Sequence, residues 1–295
     1  MSAAAKRLFA RLSILFGASL LAACSVWSPA QTDAGLVDSM AAADIVLIGE
    51  VHDNVAQHRL RLQWLRALAD RGPIAIVSEH FDSDAQSRLD DARRTLDAGL
   101  SLPERARRVA EAAGFRFDGW DWSLIGPVVE LALERNLPLR AANLSSREAY
   151  SIARGQAHPL AESVPDGWTV EIERAMSVSI RTGHCDLLPE SMIPAMVRAQ
   201  RARDAQMAAV VLAARAEGLK PVLLAGNGHV RRDLGVPVHL KGRPGLGSVL
   251  AVGLLEQTAI REEGVFDRLL VTEAQSRPDP CEGLRKHFGS RPAQR

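Results

Sequence analysis

The residues in this chain best suited to chemistry sit where apolar runs end. Val46-Leu47-Ile48-Gly49 is followed by Glu50-Val51-His52, and Leu223-Leu224-Ala225-Gly226 by Asn227-Gly228-His229, so both runs close in Gly-x-x-His. A third run, Ile74 to Ser78, closes in Glu79-His80. Histidine is only 8 of 295 residues, so three four-residue windows would hold about a third of one by chance. Imidazoles and carboxylates together can bind a divalent metal that activates water, with His52, Glu79 and His229 as ligands and Glu50 beside them. The same groups can serve as general bases without metal. The spacing is not His-Glu-x-x-His, and neither a Gly-x-Ser-x-Gly elbow nor a P-loop occurs, which removes the common hydrolase classes.

Short apolar runs of this kind read as buried strands. In open α/β sheets, ligands bind outside the carboxyl ends of the strands, so histidines from distant parts of the chain would converge there. Residues 53–70 have helical periodicity through Val55, Leu62, Leu65 and Leu68, with Asp53 or Asn54 to cap and Gly72-Pro73 to stop. Strand, helix and strand in that order predict a βαβ unit, with the first two strands a parallel pair and His52, Glu79 and His80 at one edge. The expected fold is α/β: a single domain with a mostly parallel central sheet flanked by helices.

Further along, 84–100 and 104–113 are expected as helices, and 137–143 as a strand and its exit. Phe115 to Trp122 concentrates aromatic residues, Trp120 among them, at an expected strand-to-loop junction. They could wall a flat ligand or belong to the core. A helix over 191–217 holds Pro194 only in its first turn, and Gln200 and Asp204 interrupt its apolar stripe. A polar site lined by histidines would supply their partners, and a kink or a rotated helix is the alternative. Strands are expected at 236–240, 248–255 and 267–272, with His239 a structural residue inside the first.

Lys6, Arg7 and Arg11 precede an apolar segment from Leu12 to Leu21, too short to span a bilayer. Leu21-Ala22-Ala23-Cys24 resembles a lipobox, so 1–23 is read as a lipoprotein signal peptide and Cys24 as the acylated residue. The alternative is a plain signal peptide. Ser25 after the cysteine implies, by resemblance, the outer membrane. Residues 24–40 are read as a tether and 41–290 as the domain. The net charge of +1 gives no sign of a nucleic-acid partner. With Cys24 taken by lipid, Cys185 and Cys281 remain as a pair in an oxidising compartment. They are expected to bridge, and two buried thiols or a metal site with His184 are the alternatives.

The paired Gly-x-x-His endings, Ser78-Glu79-His80-Phe81, Ala141-Ala142-Asn143-Leu144, His184 to Pro189, Gln200-x-x-x-Asp204 and Asp279-Pro280-Cys281 together resemble the ChaN family of haem-binding uptake lipoproteins, of the Tiki and erythromycin-esterase superfamily. The resemblance spans about residue 45 to the C-terminus. It implies non-covalent haem, since no Cys-x-x-Cys-His is present. His52, His80 or His229 would offer the iron ligand, and Glu50, Glu79, Trp120, Gln200 and Asp204 would surround it. Arg198, Arg201 or Arg203 would meet carboxylates. A phenolate ligand would have to be Tyr150, the single tyrosine. The resemblance further implies a homodimer and an outer-membrane haem receptor as partners. The other readings are a metal-dependent hydrolase and an envelope interaction module whose histidines brace strand ends.

Overall fold

The computed structural model describes residues 29–97, 99–162, 164–257 and 263–288. The expected signal peptide and lipidated Cys24 lie outside the described residues.

Six strands form one parallel sheet: β1 (Ile45–Glu50), β2 (Ile74–Asp82), β3 (Leu139–Asn143), β4 (Lys220–Gly226), β5 (Val249–Glu256) and β6 (Arg268–Thr272), in the order β3-β2-β4-β1-β5-β6. All six residues of β1 are buried, as a strand covered on both faces requires. β1 and β2 are parallel but not neighbours, because β4 inserts between them. Val46 lies against Val222, and Ile76 takes the other side of that same residue. The insertion puts the ends of β1, β4 and β2 side by side, so Glu50-His52, Gly226-His229 and Glu79-His80 come from three adjacent strands.

The helices are α1 (Pro29–Ala42), α2 (Val55–Ala69), α3 (Gln86–Arg94), α4 (Leu102–Ala112), α5 (Trp122–Glu134), α6 (Ser146–Ala153), α7 (Pro159–Glu162), α8 (Val170–Gly183), α9 (Ile193–Ala216), α10 (Asn227–Val230), α11 (Val236–Leu240) and α12 (Pro280–Phe288). One face of the sheet is covered by Trp64, Leu65 and Leu68 of α2 with Val109, Val128 and Leu131 of α4 and α5. The other is covered by Met207 and Val211 of α9 with Val230, Val236 and Leu240. Pro194 stands in the first turn of α9, where its missing N–H is no loss. Among the described residues no helix is long and apolar enough to cross a membrane.

Three expectations need correction. The expected tether is helical from Pro29, and Leu36, Val37 and Met40 are buried at helical spacing, so packing begins ahead of residue 41. Residues 236–240 form α11 and not a strand. Pro237 stands at the start of that turn, where its fixed φ is pre-organised, whereas in a strand it would remove a ladder bond. The aromatic cluster at 115–122 spans the α4–α5 loop and the first residue of α5 rather than a strand junction. Within it Phe115, Phe117 and Trp122 pack on one another at centroid distances of 4.8 to 5.5 Å, and Phe115 meets Phe81.

Cys185 and Cys281 are bridged, with Cα atoms 5.8 Å apart and a sequence separation of 96. The bridge ties the start of α12 to the end of α8. Before it, Arg277 donates to Glu256 at 2.6 and 2.8 Å and to Asp53 at 2.7 and 2.8 Å. The C-terminal segment is therefore held at both ends, once beside His52 and once on α8.

Candidate functional site

Glu50, the last residue of β1, is a buried hub. Its Oε1 meets His52 Nδ1 at 3.1 Å and His80 Nε2 at 3.1 Å, with His58 Nε2 at 3.6 Å, and its Oε2 pairs with Arg61. The glutamate and arginine side chains are both 0% exposed. Burial lowers the Arg61 guanidinium to about 9, with Glu79 opposing, so it keeps its charge at neutral pH. His80 is held well below its ordinary value by burial and by Arg61, so it is neutral. Neutral His80 donates from Nε2 to Glu50 and shares a 3.0 Å hydrogen bond between Nδ1 and the Ser78 hydroxyl. Both its nitrogens are engaged.

His229, on the turn of α10 just past β4, is the second hub. Its Nδ1 lies 2.6 Å from Asp204 Oδ1, and its Nε2 3.4 Å from Glu79 Oε1. Gln200 Nε2 approaches Nδ1 at 3.2 Å. Asp204 thus meets its partner at this histidine, and Gln200, the other polar position on the stripe of α9, lies beside it. Burial alone would lower His229, but Glu79 and Asp204 outweigh it and raise the imidazole to about 10. Burial raises Asp204 to about 6 despite the imidazolium. Glu79 is also buried, yet the His229 imidazolium beside it holds it well below the usual carboxylate range. A protonated His229 donates from both nitrogens and has no lone pair for a metal.

His52 differs from the other two. Its side chain is 42% exposed, against 1% for His80 and 9% for His229. Donating from Nδ1 to Glu50 fixes the tautomer and leaves the Nε2 lone pair free. That nitrogen lies over Gly226, where an added Cβ would stand 2.8 Å away. Glu79 Oε2 accepts from the Gly226 N–H at 2.7 Å and so fixes the glycine. The half-buried Trp120 ring meets His52 edge-on at 4.8 Å and His80 at 4.7 Å. Of the aromatic cluster, Trp120 alone joins the site, and the rest is core. The three donor groups that approach most closely are Glu50, His52 and His80, within 4.8 Å of one another, rather than the expected metal set of His52, Glu79 and His229.

The other expected residues divide. Arg203 turns toward the edge of the site, donating to Leu144 O at 3.1 Å and to Asn143. Arg201 points away: it donates to Ala161 O at 2.6 Å and lies over Trp168. Arg198 is partly buried on α9 and bonds to none of the site residues. Tyr150 is 62% exposed on α6, with Arg154 donating to its hydroxyl at 2.9 Å. His239 is buried beside Trp168, as a structural histidine would be. His184 donates to Ile180 O at 2.7 Å and binds no metal with the bridged cysteines. Sequence reasoning missed His58 and Arg61. Asn54, Gln57, His58 and Arg61 fall at i, i+3, i+4 and i+7 and are all buried, a polar stripe that helical spacing makes visible.

The family described as "Haem-binding uptake, Tiki superfamily, ChaN" matches residues 36–240. Among solved structures, ChaN of Campylobacter jejuni, described as binding haem cofacially, is 24% identical, with a TM-score of 0.63 over 75% of this chain and 85% of that one. That likeness shows a shared fold. An erythromycin esterase mutant in its open conformation is 15% identical, with a TM-score of 0.44 over 75% of this chain and 72% of that one. No curated protein matches the chain. The family match covers well over half of the sequence, including all three strand ends that carry the histidines, and the chain belongs to the haem-binding uptake family ChaN of the Tiki superfamily.

Proposed function

We propose that this protein binds haem non-covalently at the carboxyl edge of its sheet, with His52 Nε2 as the iron ligand, as part of haem or iron uptake. One observation carries the choice of ligand: of three strand-end histidines, His52 alone is exposed with a ring nitrogen unengaged. Haem iron accepts an axial imidazole, and its porphyrin needs an apolar wall, which Trp120 offers beside the ring. The donor set therefore fits the group. Glu50 holds the ligand's tautomer, and Arg61 and His80 hold Glu50. None of these residues lines the cavity of about 630 Å³ beside the start of β5, and the exposed His52 side chain would present the haem on an open face. An open face calls for a cover, and a second copy of the chain is the partner this reading requires, with an envelope receptor exchanging the haem.

The test is titration of the purified protein with haemin. A saturable Soret shift is expected, lost in His52→Ala. No shift in the intact protein overturns the reading. Acylation of Cys24, which would anchor the protein in the envelope at the outer membrane, rests on the sequence alone. Labelled palmitate incorporated by the intact chain and not by Cys24→Ala would support it, and equal labelling would refute it.

A second reading, a metal-dependent hydrolase, is favoured by the approach of Glu50, His52 and His80 within 4.8 Å. A divalent ion there would activate water. Turnover abolished by a chelator, in a protein that gives no Soret shift, would choose this reading.

A further inference from the structure

Two arginines at the rim of the site have no carboxylate of their own. Arg203 of α9 and Arg116 of the α4–α5 loop both dock on the short connection between β3 and α6. Arg203 Nη1 donates to Leu144 O at 3.1 Å and to Asn143, and Arg116 Nη1 donates to Ser146 Oγ at 2.9 Å. Neither forms an ion pair among the described residues, and their Nε and Nη2 donors meet no described acceptor. Arg116 also belongs to the turn that presents Trp120, whose N–H bonds to Arg116 O at 3.0 Å. The guanidinium rests against Gly119 of that turn.

Of the acids that act on Arg203, Glu79 is committed to His229 and the Gly226 N–H and Asp204 to His229, which leaves Asp82, at the end of β2, whose register partner is Asn143. It feels both arginines but forms no ion pair with either among the described residues, and burial raises it above its ordinary value. Glu148 is committed to the cap of α6, accepting from Ser145 N at 3.0 Å and Ser145 Oγ at 2.6 Å. Asp82 follows His80 by two residues on one strand, so the arginine pair lies one strand step beyond the histidine that Trp120 covers. Guanidinium groups with free donors beside an aromatic wall match a flat ligand whose carboxylates lie along one edge.

We propose that Arg116 and Arg203 form the carboxylate-binding half of the site, so that the ligand selected at His52 is a haem with free propionates rather than an uncharged or esterified porphyrin. This rests on the haem reading above. It assigns recognition of the ligand's acidic edge to a loop and a helix that carry none of the strand-end motifs.

The experiment titrates the purified protein with haemin and, in parallel, with haemin dimethyl ester, reading the Soret band. Haemin is expected to bind at least about tenfold tighter than the diester, the scale of a charge-assisted hydrogen bond. Arg116→Met and Arg203→Met should each weaken haemin by roughly tenfold and leave the diester nearly unchanged. Equal affinity for the two ligands in the intact protein would overturn the arginine assignment and leave the haem reading standing. Absence of a Soret shift with either ligand would overturn the haem reading itself. Arg116 is exposed on a loop, so its variant decides the matter even if loss of the more buried Arg203 impairs folding.

Discussion

Raising the pH from 7 to 9 should destabilise this protein steeply, and His229 should be the cause. The imidazole sits between Glu79 and Asp204 with a folded-state value of about 10, against 6.5 for an ordinary histidine. A value raised in the folded state means stability that is fully present below 6.5 and lost as pH rises through about 10. Within that interval the folded chain holds one proton more than the unfolded chain. Stability then falls by about 1.4 kcal/mol per pH unit, or about 3 kcal/mol between pH 7 and 9. The other perturbed groups of the site act elsewhere. Asp204, at about 6, does its work between the ordinary aspartate value of 3.8 and 6. His58 and His80, both lowered, act below 6.5, and Arg61 acts above about 9. Urea unfolding at pH 7, 8 and 9 measures the slope directly, and His229→Gln should flatten it. That variant leaves two buried carboxylates without their cation and should cost roughly 3 to 5 kcal/mol at pH 7. A wild type whose stability is flat from pH 7 to 9, or a glutamine variant with the wild-type slope, would refute the assignment of a buried imidazolium.

Gly226→Ala would place a methyl group 2.8 Å from His52 Nε2 and 3.7 Å from Glu79 Oε2. The imidazole must then turn aside, so the variant should fold with near-normal far-ultraviolet dichroism yet lose haemin affinity by tenfold or more, and unchanged affinity would show that His52 Nε2 is not the ligand. Cys281→Ser opens a loop closed across 96 residues and should lower unfolding free energy by about 4 to 5 kcal/mol in the chain-entropy relation. Denaturant midpoints with and without reductant check this, and identical midpoints would mean the bridge does not constrain the unfolded chain.

The strand ends were legible because a fully buried parallel strand writes itself as an unbroken apolar run, and β1, β2 and β4 all do so. The stripe of α9 was legible too, since Gln200 and Asp204 have no reason to stand among Val197, Met207 and Val211 unless something polar meets them. The insertion of β4 between β1 and β2 was not. Local periodicity fixes which residues form a strand and says nothing about which distant strand lies beside it. The same holds for the ranking of the histidines. His52, His80 and His229 look alike in sequence, and only partners from other elements separate an engaged neutral ring, an imidazolium and an open ligand. The stripe Asn54, Gln57, His58 and Arg61 was overlooked for another reason. A search for apolar spacing assigns polar positions to solvent, whereas this helix turns that stripe inward to Glu50, Glu256 and Thr272.

Burying Glu50 with Arg61, and His229 with Glu79 and Asp204, is poor design for stability alone. Paired charges removed from water recover little more than their desolvation, and apolar residues of similar volume would hold the strand ends as well or better. The arrangement makes sense as positioning. Glu50 sets which nitrogen of His52 carries the proton, and Arg61 and His80 keep Glu50 from turning. The second hub reaches the same atom by a different route: His229 and Asp204 hold Glu79, Glu79 Oε2 holds the Gly226 N–H at 2.7 Å, and the bare Cα of Gly226 leaves the room that His52 Nε2 occupies. Both clusters of buried charge therefore converge on His52 Nε2, the open nitrogen among the three strand-end histidines. If so, Asp204→Asn should weaken ligand binding at His52 without touching it, whereas histidines serving only to brace strand ends would leave binding unchanged in that variant.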